Sequence, residues 1–467
     1  MDLLVRIDRA VGRLSAQVAA ELRTGIRAGR LAPGTRLPAS RDLARQLAVS
    51  RGVIVSAYEQ LIAEGFLVAG FGDGTRVAPL AVPPVPAASF QSPAADPGAR
   101  VGGVRRLGAP YEPVYDLRPG VPDLAAFPRD QWLAALRHVL KTLPHNALGY
   151  PDPAGALVLR EELAAYLGRV RAAATGPDRI VITHGVAQGL YIVIRALAGR
   201  GPIALEDPTS DRQLPLLRAT GASLVHVPVD GEGINVAALA RTGARTVLVT
   251  PAHQYPTGVV LSPARRAALI AWARSVDGVI IEDDYDAEFR YDRDPVGCLQ
   301  GVDPVRVVLA GSVSKSLTPA LRLGWIAAPP WLAGAVRGFR AEVDLGAPVF
   351  EQHALAQLIM SGSFDRYLRT MRRTYRARRD ALASALSEHV PGCRIHGVSA
   401  GLHLYVELPG GSDELAVTEA AAEHGVRVVP AAPMWSGPQP HPALVLGYAR
   451  LTPPHLTEAT RLLAQAL

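Results

Sequence analysis

The feature that most narrows what this chain can fold into is a series of short apolar runs between residues 180 and 312, separated by helical stretches. IVIT, PIALED, SLVHVPV, TVLVT, GVIIEDD and VRVVLAG follow one another in this way, with SPARRAALIAWARS among the intervening helices. Short runs rich in β-branched and aliphatic residues are strands buried on both faces. Strands of that kind, joined through helices, assemble into a mainly parallel sheet with helices on both sides. At 467 residues, 49% of them hydrophobic, the chain is long enough for two or three domains and a sizeable core.

Sheets of this type bind ligands beyond the carboxyl ends of their strands. Four polar strings are expected there: THGVAQG from Thr183, TPAHQYPTG from Thr250, EDDYD after Ile281 and SVSK after Gly311. HGVAQGL opens a helix and can offer backbone N–H groups and a helix N-terminus to a phosphate. Asp283, or a neighbouring acid, can pair with a protonated pyridine nitrogen, which keeps such a ring an electron sink. Tyr285 can donate to the ring's 3-hydroxyl oxygen.

The last string carries the sharpest signal. Among 49 Lys+Arg residues, only positions 141 and 315 are lysine. A Schiff base needs a primary amine that can lose its proton, which a guanidinium cannot supply. Lys141 falls on an amphipathic stretch, RDQWLAALRHVLKTL, where a lysine serves as a solvated surface charge. Lys315 follows VRVVLAGSVS at the end of a buried strand, flanked by Ser312, Ser314 and Ser316 and followed by Arg322. An amine, hydroxyls and a cation together suit one phosphorylated aldehyde, pyridoxal 5'-phosphate.

Residues 12 to 28 place Leu14, Val18, Leu22 and Ile26 four apart, one buried stripe of an amphipathic helix. After LAPGTRLP, Ser40 is expected to cap SRDLARQLA and Ser50 to cap SRGVIVSAYEQLIAEG, a helix-turn-helix. FLVAGFGDGTRVA then reads as two short strands about Gly72, Asp73 and Gly74, a wing. Residues 1 to 79 hold 11 arginines against 7 acidic residues, a net charge of +4, with Arg36, Arg41 and Arg51 at turns and helix starts. Those are positions from which phosphates are contacted.

From residue 80 to 113 the chain is rich in proline, alanine and glycine without periodicity, so two domains and a linker follow: a DNA-binding unit at 1–79, a linker at 80–113 and a second unit at 114–467. Cys298 and Cys393 are isolated, no metal site is expected, and a reducing cytoplasm fits them. No run approaches the roughly 20 apolar residues of a membrane span. After residue 346 comes helical sequence, including the arginine-dense SFDRYLRTMRRTYRARRDALASALSEH, expected to bridge a large and a small subdomain. A small α+β subdomain is placed at about 370–467, with AGLHLYVELP, GVRVVPA and LVLGYA as strands and LTEATRLLAQAL as a closing helix.

PGTRLPASRDLARQLAVSR and AYEQLIAEGFL resemble the winged helix of the GntR family of bacterial regulators, over roughly residues 10 to 78. The resemblance implies that the helix from Ser50 enters the major groove, with Arg41, Ser50 and Arg51 near phosphates or base edges and the wing near Thr75. Val53 stands where that family often has threonine. GVAQGL, TPAHQYPTG, IIEDDYDAEFRY and SVSKSLTPALRLGW resemble the fold-type I aminotransferases, and the two together resemble the MocR regulators. By this resemblance Lys315 holds pyridoxal 5'-phosphate as an internal aldimine, Asp283 faces the pyridine nitrogen and Tyr285 the 3-oxygen. Val186 and Ala187 offer amides to the phosphate beside Ser312, Ser314 and Arg322. Tyr150, in ALGYPDPAG, reaches the phosphate from the partner subunit of a head-to-tail homodimer, and each winged helix docks on the other subunit's large domain.

Three positions depart from that pattern. EDPTSDR places Ser210 where a ring-stacking aromatic is usual, and Val445 in ALVLGYARL stands where aminotransferases carry an arginine for the substrate carboxylate. Arg212 or Arg450 could replace that arginine. Tyr255 or Gln254 occupies the place of the aminotransferase asparagine. The sequence thus implies a cytoplasmic regulator that binds double-stranded operator DNA and senses pyridoxal phosphate or a small amine or amino acid reacting at Lys315. The alternative is an active aminotransferase carrying an accessory DNA-binding domain.

Overall fold

The computed structural model describes residues 7–9, 12, 14–64, 66–70, 74–78, 115–286, 288–291 and 297–467. The linker expected at 80–113, and Gly72 and Asp73 of the wing turn, lie outside the described residues. The chain divides into two compact units, Met1–Arg100 and Val101–Leu467.

The first unit contains α1 (Leu14–Arg27), α2 (Ser40–Gln46), α3 (Arg51–Ala63), β1 (Leu67–Gly70) and β2 (Gly74–Val77). Val18 and Leu22 of the α1 stripe are fully buried against Leu43, Ile54 and Leu61. The two strands pair antiparallel, Leu67 opposite Val77, as a wing requires. Leu37 N–H donates to the Thr75 carbonyl (2.8 Å) and Val77 N–H to that of Thr35 (2.9 Å), so residues 35–37 extend the wing, which the sequence did not reveal. Neither serine caps with its side chain. Ala39 is already extended (ψ 146°) and is itself the N-cap, which puts Ser40 inside α2; Ser50 holds the N-cap of α3 without a bond from its hydroxyl. Val53 packs partly buried against the core, where a threonine hydroxyl would lose solvent.

The second unit opens with β3 (Tyr115–Asp116), α4 (Arg129–Thr142) and α5 (Leu157–Arg171). Next come β4 (Ile180–Thr183), α6 (Gly185–Ala196), β5 (Ile203–Asp207), α7 (Leu214–Ala219), β6 (Leu224–Asp230) and β7 (Gly233–Ile234). They are followed by α8 (Val236–Leu239), β8 (Thr246–Val249), α9 (Pro263–Ser275), β9 (Val279–Asp283) and β10 (Val307–Ser312). After β11 (Gly324–Ala327), the helices α10 (Pro330–Asp344), α11 (Val349–Met360) and α12 (Ser363–His389) lead onward.

The sheet has eight strands in the order β4-β11-β10-β9-β8-β5-β6-β7. It is mainly parallel, with β11 and β7 antiparallel. β11, formed by GWIA, was not anticipated, because four residues that begin with a glycine are too short a signal in sequence. Side chains alternate across the sheet as two-sided burial demands: Val279 and Ile281 join a cluster with Leu190, Val193 and Val336, while Ile280 joins Leu269, Ile270 and Trp272. Each such side chain, fully buried, contributes about 1.5–3 kcal/mol. The carboxyl ends of β4, β5, β8, β9 and β10 are thereby held along one edge.

The chain closes with β12 (Arg394–His396), β13 (His403–Glu407), α13 (Glu414–Glu423), β14 (Val426–Arg427), β15 (Val429–Pro430), β16 (Ala443–Gly447) and α14 (Pro453–Leu463). β12, β13, β16 and β15 form an antiparallel sheet, as the expected small subdomain requires. One strand comes from elsewhere: β3 pairs in parallel with β14, Tyr115 opposite Val426. The start of the unit therefore joins its end, and the chain runs from β3 to Gly120 at the large sheet's edge. In α12, Arg372 donates to the Glu288 carbonyl and Arg378 pairs with Asp123, so part of the arginine-dense face ties elements together. Among the described residues no helix is long and apolar enough to cross a membrane.

Candidate functional site

A cavity of about 210 Å³ opens at the carboxyl ends of the strands. It brings together eight residues singled out in the sequence: Val186, Ala187, Asp283, Tyr285, Ser312, Ser314, Lys315 and Arg322. Tyr150 is not among its lining; it stands 91% exposed between α4 and α5. Lys141 is exposed on α4, which leaves Lys315 as the amine of the cavity.

Lys315 Nζ donates to the Gly120 carbonyl at 2.6 Å. Burial holds its pKa below the ordinary lysine value, Asp283 and Asp286 oppose that shift, and Arg212 adds to it. A lowered pKa raises the fraction of neutral, nucleophilic amine.

Asp283 ends β9 opposite Ala310 of β10. Its Oδ2 accepts from Gln213 Nε2 at 3.0 Å, whereas its Oδ1 is buried without a partner. Burial pushes the carboxyl up to about 6, against the lowering effect of the Gln213 bond. A buried acceptor without a donor costs roughly 1–3 kcal/mol, so this oxygen calls for an N–H from a ligand.

At the other end of the cavity, Gly185 (φ +76°) turns the chain from β4 into α6, whose first-turn residues Val186 and Ala187 line the opening. A Cβ there would lie 3.1 Å from the Arg322 guanidinium. Arg322, itself left-handed at φ +49°, donates to the His184 carbonyl at 2.7 Å. Gly324 of β11 permits this closeness, since a Cβ on it would fall 2.7 Å from Gly185. Helix N-terminus, guanidinium and the hydroxyls of Ser312 and Ser314 make an anion cradle. The orphaned acid, the depressed amine and this cradle fit pyridoxal 5'-phosphate.

Several residues were missed. Tyr285 Oη lies 3.0 Å from His253 Nδ1, which lies 2.9 Å from Asp286 Oδ2. His403 stacks obliquely near His253, centroids 5.0 Å apart, and its Nε2 meets the Pro256 carbonyl at 3.1 Å. Burial, with His253 beside it, lowers His403 to about 3 and keeps it neutral. His253 and Asp286 lay inside strings already marked; His403 had its own signal, a histidine at an apolar position of a strand.

Gln254 is structural: its amide donates to the Pro208 carbonyl (2.8 Å) while its Oε1 accepts from Thr257. Tyr255 lines the cavity instead. Of the two arginines considered as substitutes, Arg212 lines the cavity and Arg450 pairs with Asp116 away from it. Val445 is fully buried with Tyr405, Ala431 and Met434. Ser210 lines the cavity and offers no ring.

In the first unit Arg36, Arg41, Ser50 and Arg51 are exposed and Thr75 is half-buried on β2. Arg51 Nε reaches Ser40 Oγ at 3.4 Å, which sets the starts of α2 and α3 side by side. Arg23 and Arg45 are held by Glu64 and Asp42, whereas Arg36, Arg41 and Arg51 have no acidic partner among the described residues.

The profile for "Aminotransferase class I and II" matches residues 114–462, and that for "Bacterial regulatory proteins, gntR family" matches residues 14–77. The chain is 34% identical over 441 residues to the pyridoxine biosynthesis transcriptional regulator PdxR of Corynebacterium glutamicum, covering 93% of this chain and 92% of that one. It is 31% identical over 457 residues to the probable rhizopine catabolism regulatory protein MocR of Rhizobium meliloti, covering 96% and 93%. Among solved structures, an archaeal alanine:glyoxylate aminotransferase superposes with TM-score 0.69 at 29% identity, over 75% of this chain and 90% of that one. LysN, the α-aminoadipate aminotransferase of Thermus thermophilus, gives 0.69 at 27% over 75% and 91%, in a complex with N-(5'-phosphopyridoxyl)-L-leucine.

Proposed function

Because the chain belongs to the MocR-type regulators, a gntR-family winged helix joined to an aminotransferase class I and II domain, we propose that it regulates transcription by binding operator DNA and holding pyridoxal 5'-phosphate at Lys315. The observation that carries this reading is the cavity itself: one of two lysines in the chain, depressed in pKa, stands between an orphaned carboxylate and an anion cradle. Its joining to a winged helix whose exposed Arg36, Arg41 and Arg51 have no acidic partner among the described residues supplies the output.

Pyridoxal 5'-phosphate supplies an aldehyde that condenses reversibly with primary amines and a ring that withdraws electrons from the product. Lys315 presents the amine, Asp283 accepts from the ring nitrogen, and Tyr285 faces the 3-oxygen. The amides of Val186 and Ala187 bind the phosphate with Ser312, Ser314 and Arg322. Tyr150, exposed as it is, completes the phosphate site of the other subunit in a homodimer. The pyridoxine biosynthesis named for the Corynebacterium relative supports the cofactor as the signal. A small amine or amino acid reacting at Lys315 is the second form of signal. Either acts by binding one arrangement of the dimer more tightly than another, which changes how Arg36, Arg41, Ser50, Arg51 and Thr75 meet DNA.

The test is fluorescence anisotropy of the full chain on its own upstream DNA, with and without pyridoxal phosphate, at one fixed salt concentration. A cofactor-dependent affinity that disappears in Lys315→Ala is expected; identical curves would remove the cofactor as signal. One observation favours turnover as a second reading. Arg212 reaches the cavity without a carboxylate partner among the described residues and could take a substrate carboxylate. Steady transamination by the wild type, lost in Arg212→Ala, would establish that reading.

A further inference from the structure

Asp286 and His253 are 2% and 3% exposed by side chain, and no role in the reading above requires them. An ionised carboxylate only accepts hydrogen bonds, so the His253 Nδ1 that lies 2.9 Å from Asp286 Oδ2 carries the proton. The same nitrogen lies 3.0 Å from Tyr285 Oη. Were the phenol's proton directed at Nδ1 instead, an imidazole lone pair would face the carboxylate with no proton between them.

We propose that His253 and Asp286 form a positioning pair: Asp286 fixes the Nδ1–H tautomer, and that N–H, shared with the Tyr285 oxygen, leaves the phenol's own proton free to donate to the 3-oxygen of bound pyridoxal phosphate. The inference rests on the cavity being the cofactor site and adds two residues to it. Gly401 leaves the room that the pair occupies. A Cβ at Gly401 (φ +72°) would fall 2.3 Å from His253 Cε1 and 2.5 Å from Asp286 Oδ2, so the chain keeps this place clear for the pair.

The surroundings favour the same protonation. Burial first, then the charges of Asp286, Tyr255 and Asp283, and last a hydrogen bond to the Asp286 carboxylate, hold the Tyr285 phenol well above the ordinary tyrosine range, so it keeps its proton, and the 3-oxygen of the bound cofactor has to draw that proton away from Asp286. From β13, His403 faces the pair as a neutral ring whose Nε2–H is spent on Pro256. Lys315 and Arg212 face it from the cavity. Ligand atoms of His253, Asp286 and His403 lie within 4.8 Å of one another.

The test is the pH midpoint of the bound cofactor's visible absorption in the full chain. A donor to the 3-oxygen stabilises its anion and so lowers that midpoint. Tyr285→Phe is expected to raise it by about one pH unit, His253→Ala by a similar amount, and the double variant by no more than either. His253→Asn, which can place an amide N–H near the lost Nδ1–H, is expected to restore most of the shift, and Asp286→Asn to fall between. A normal midpoint in His253→Ala beside a shifted one in Tyr285→Phe would overturn the pair while sparing the tyrosine. No shift in Tyr285→Phe would overturn the role of the tyrosine, and absence of any cofactor band in the wild type would overturn the cofactor reading beneath both. Should His253→Ala not fold, the Asp286→Asn midpoint decides: an unchanged value overturns the pair.

Discussion

Replacing Asp283 with asparagine should move two quantities in opposite directions. In the protein without cofactor the carboxyl sits at about 6 against an ordinary 3.8, because burial disfavours its charge and Oδ1 has no partner. A folded-state pKa raised above the unfolded value means that the folded chain holds the proton more tightly. The stability this gives is complete below 3.8 and is lost as pH rises through about 6. About two pH units at about 1.4 kcal/mol each give roughly 3 kcal/mol, the cost of the buried carboxylate at pH 7.5. Asparagine has the same shape, keeps a carbonyl for Gln213, and carries no charge. The cofactor-free Asp283→Asn chain should therefore unfold later in urea at pH 7.5, with the advantage shrinking towards pH 4. Cofactor binding should weaken, because a charge-assisted bond to the ring nitrogen worth about 1.5–3 kcal/mol is lost, roughly ten- to a hundred-and-fifty-fold in Kd. The assays are urea midpoints across pH for the first and absorbance titration of pyridoxal phosphate for the second. An asparagine variant that is less stable at pH 7.5 would refute the raised pKa of the buried carboxyl, and one that binds cofactor as the wild type does would refute the assignment of Asp283 to the ring nitrogen.

Reduction with borohydride in the presence of pyridoxal phosphate should fix one adduct, on Lys315; Lys315→Ala should give none, and peptide mapping that finds the label on Lys141 would contradict the site. Gly185→Ala introduces a left-handed alanine at about 1–2 kcal/mol and a methyl group 3.1 Å from Arg322. It should lower both the unfolding midpoint and phosphate affinity, read by competition with inorganic phosphate. Arg51→Gln should leave the unfolding midpoint within about 0.5 kcal/mol of wild type, since the side chain is exposed, and flatten the salt dependence of DNA affinity by about one charge.

Legibility in the sequence followed the range of the forces involved. The sheet could be read because its strands are buried on both faces, so IVIT and GVIIEDD show it without reference to the rest of the chain. Lys315 could be read because a primary amine is rare here and its chemistry has no substitute. What stayed hidden depends on contacts between distant segments. β3 is two residues long and exists only because β14 is there to pair with it, 311 residues away from Tyr115 to Val426. The Asp286–His253 pair needs two loops and the vacancy at Gly401, a conjunction of residues 253, 286 and 401 that no local pattern contains. Cap chemistry failed for a different reason: Ser40 is a good capping residue by type, but Ala39 takes the N-cap of α2 one residue earlier, and type does not report that offset.

If the cofactor changes DNA affinity by binding one state of the dimer more tightly, DNA must change cofactor affinity by the same factor, since both belong to one thermodynamic cycle. Tight binding alone would shift nothing, because a ligand moves an equilibrium only by its difference in affinity for the two states. Couplings of this kind are commonly about 1–3 kcal/mol, or roughly 5- to 150-fold. The Kd for pyridoxal phosphate should therefore differ between free protein and protein saturated with its operator by the factor that anisotropy gives for DNA with and without cofactor. Equality within error identifies an equilibrium switch centred on Lys315. A cofactor effect on DNA binding with no reciprocal effect on cofactor binding would mean that the loaded and unloaded proteins are not interconverting in the assay, and the two-state account would have to be given up.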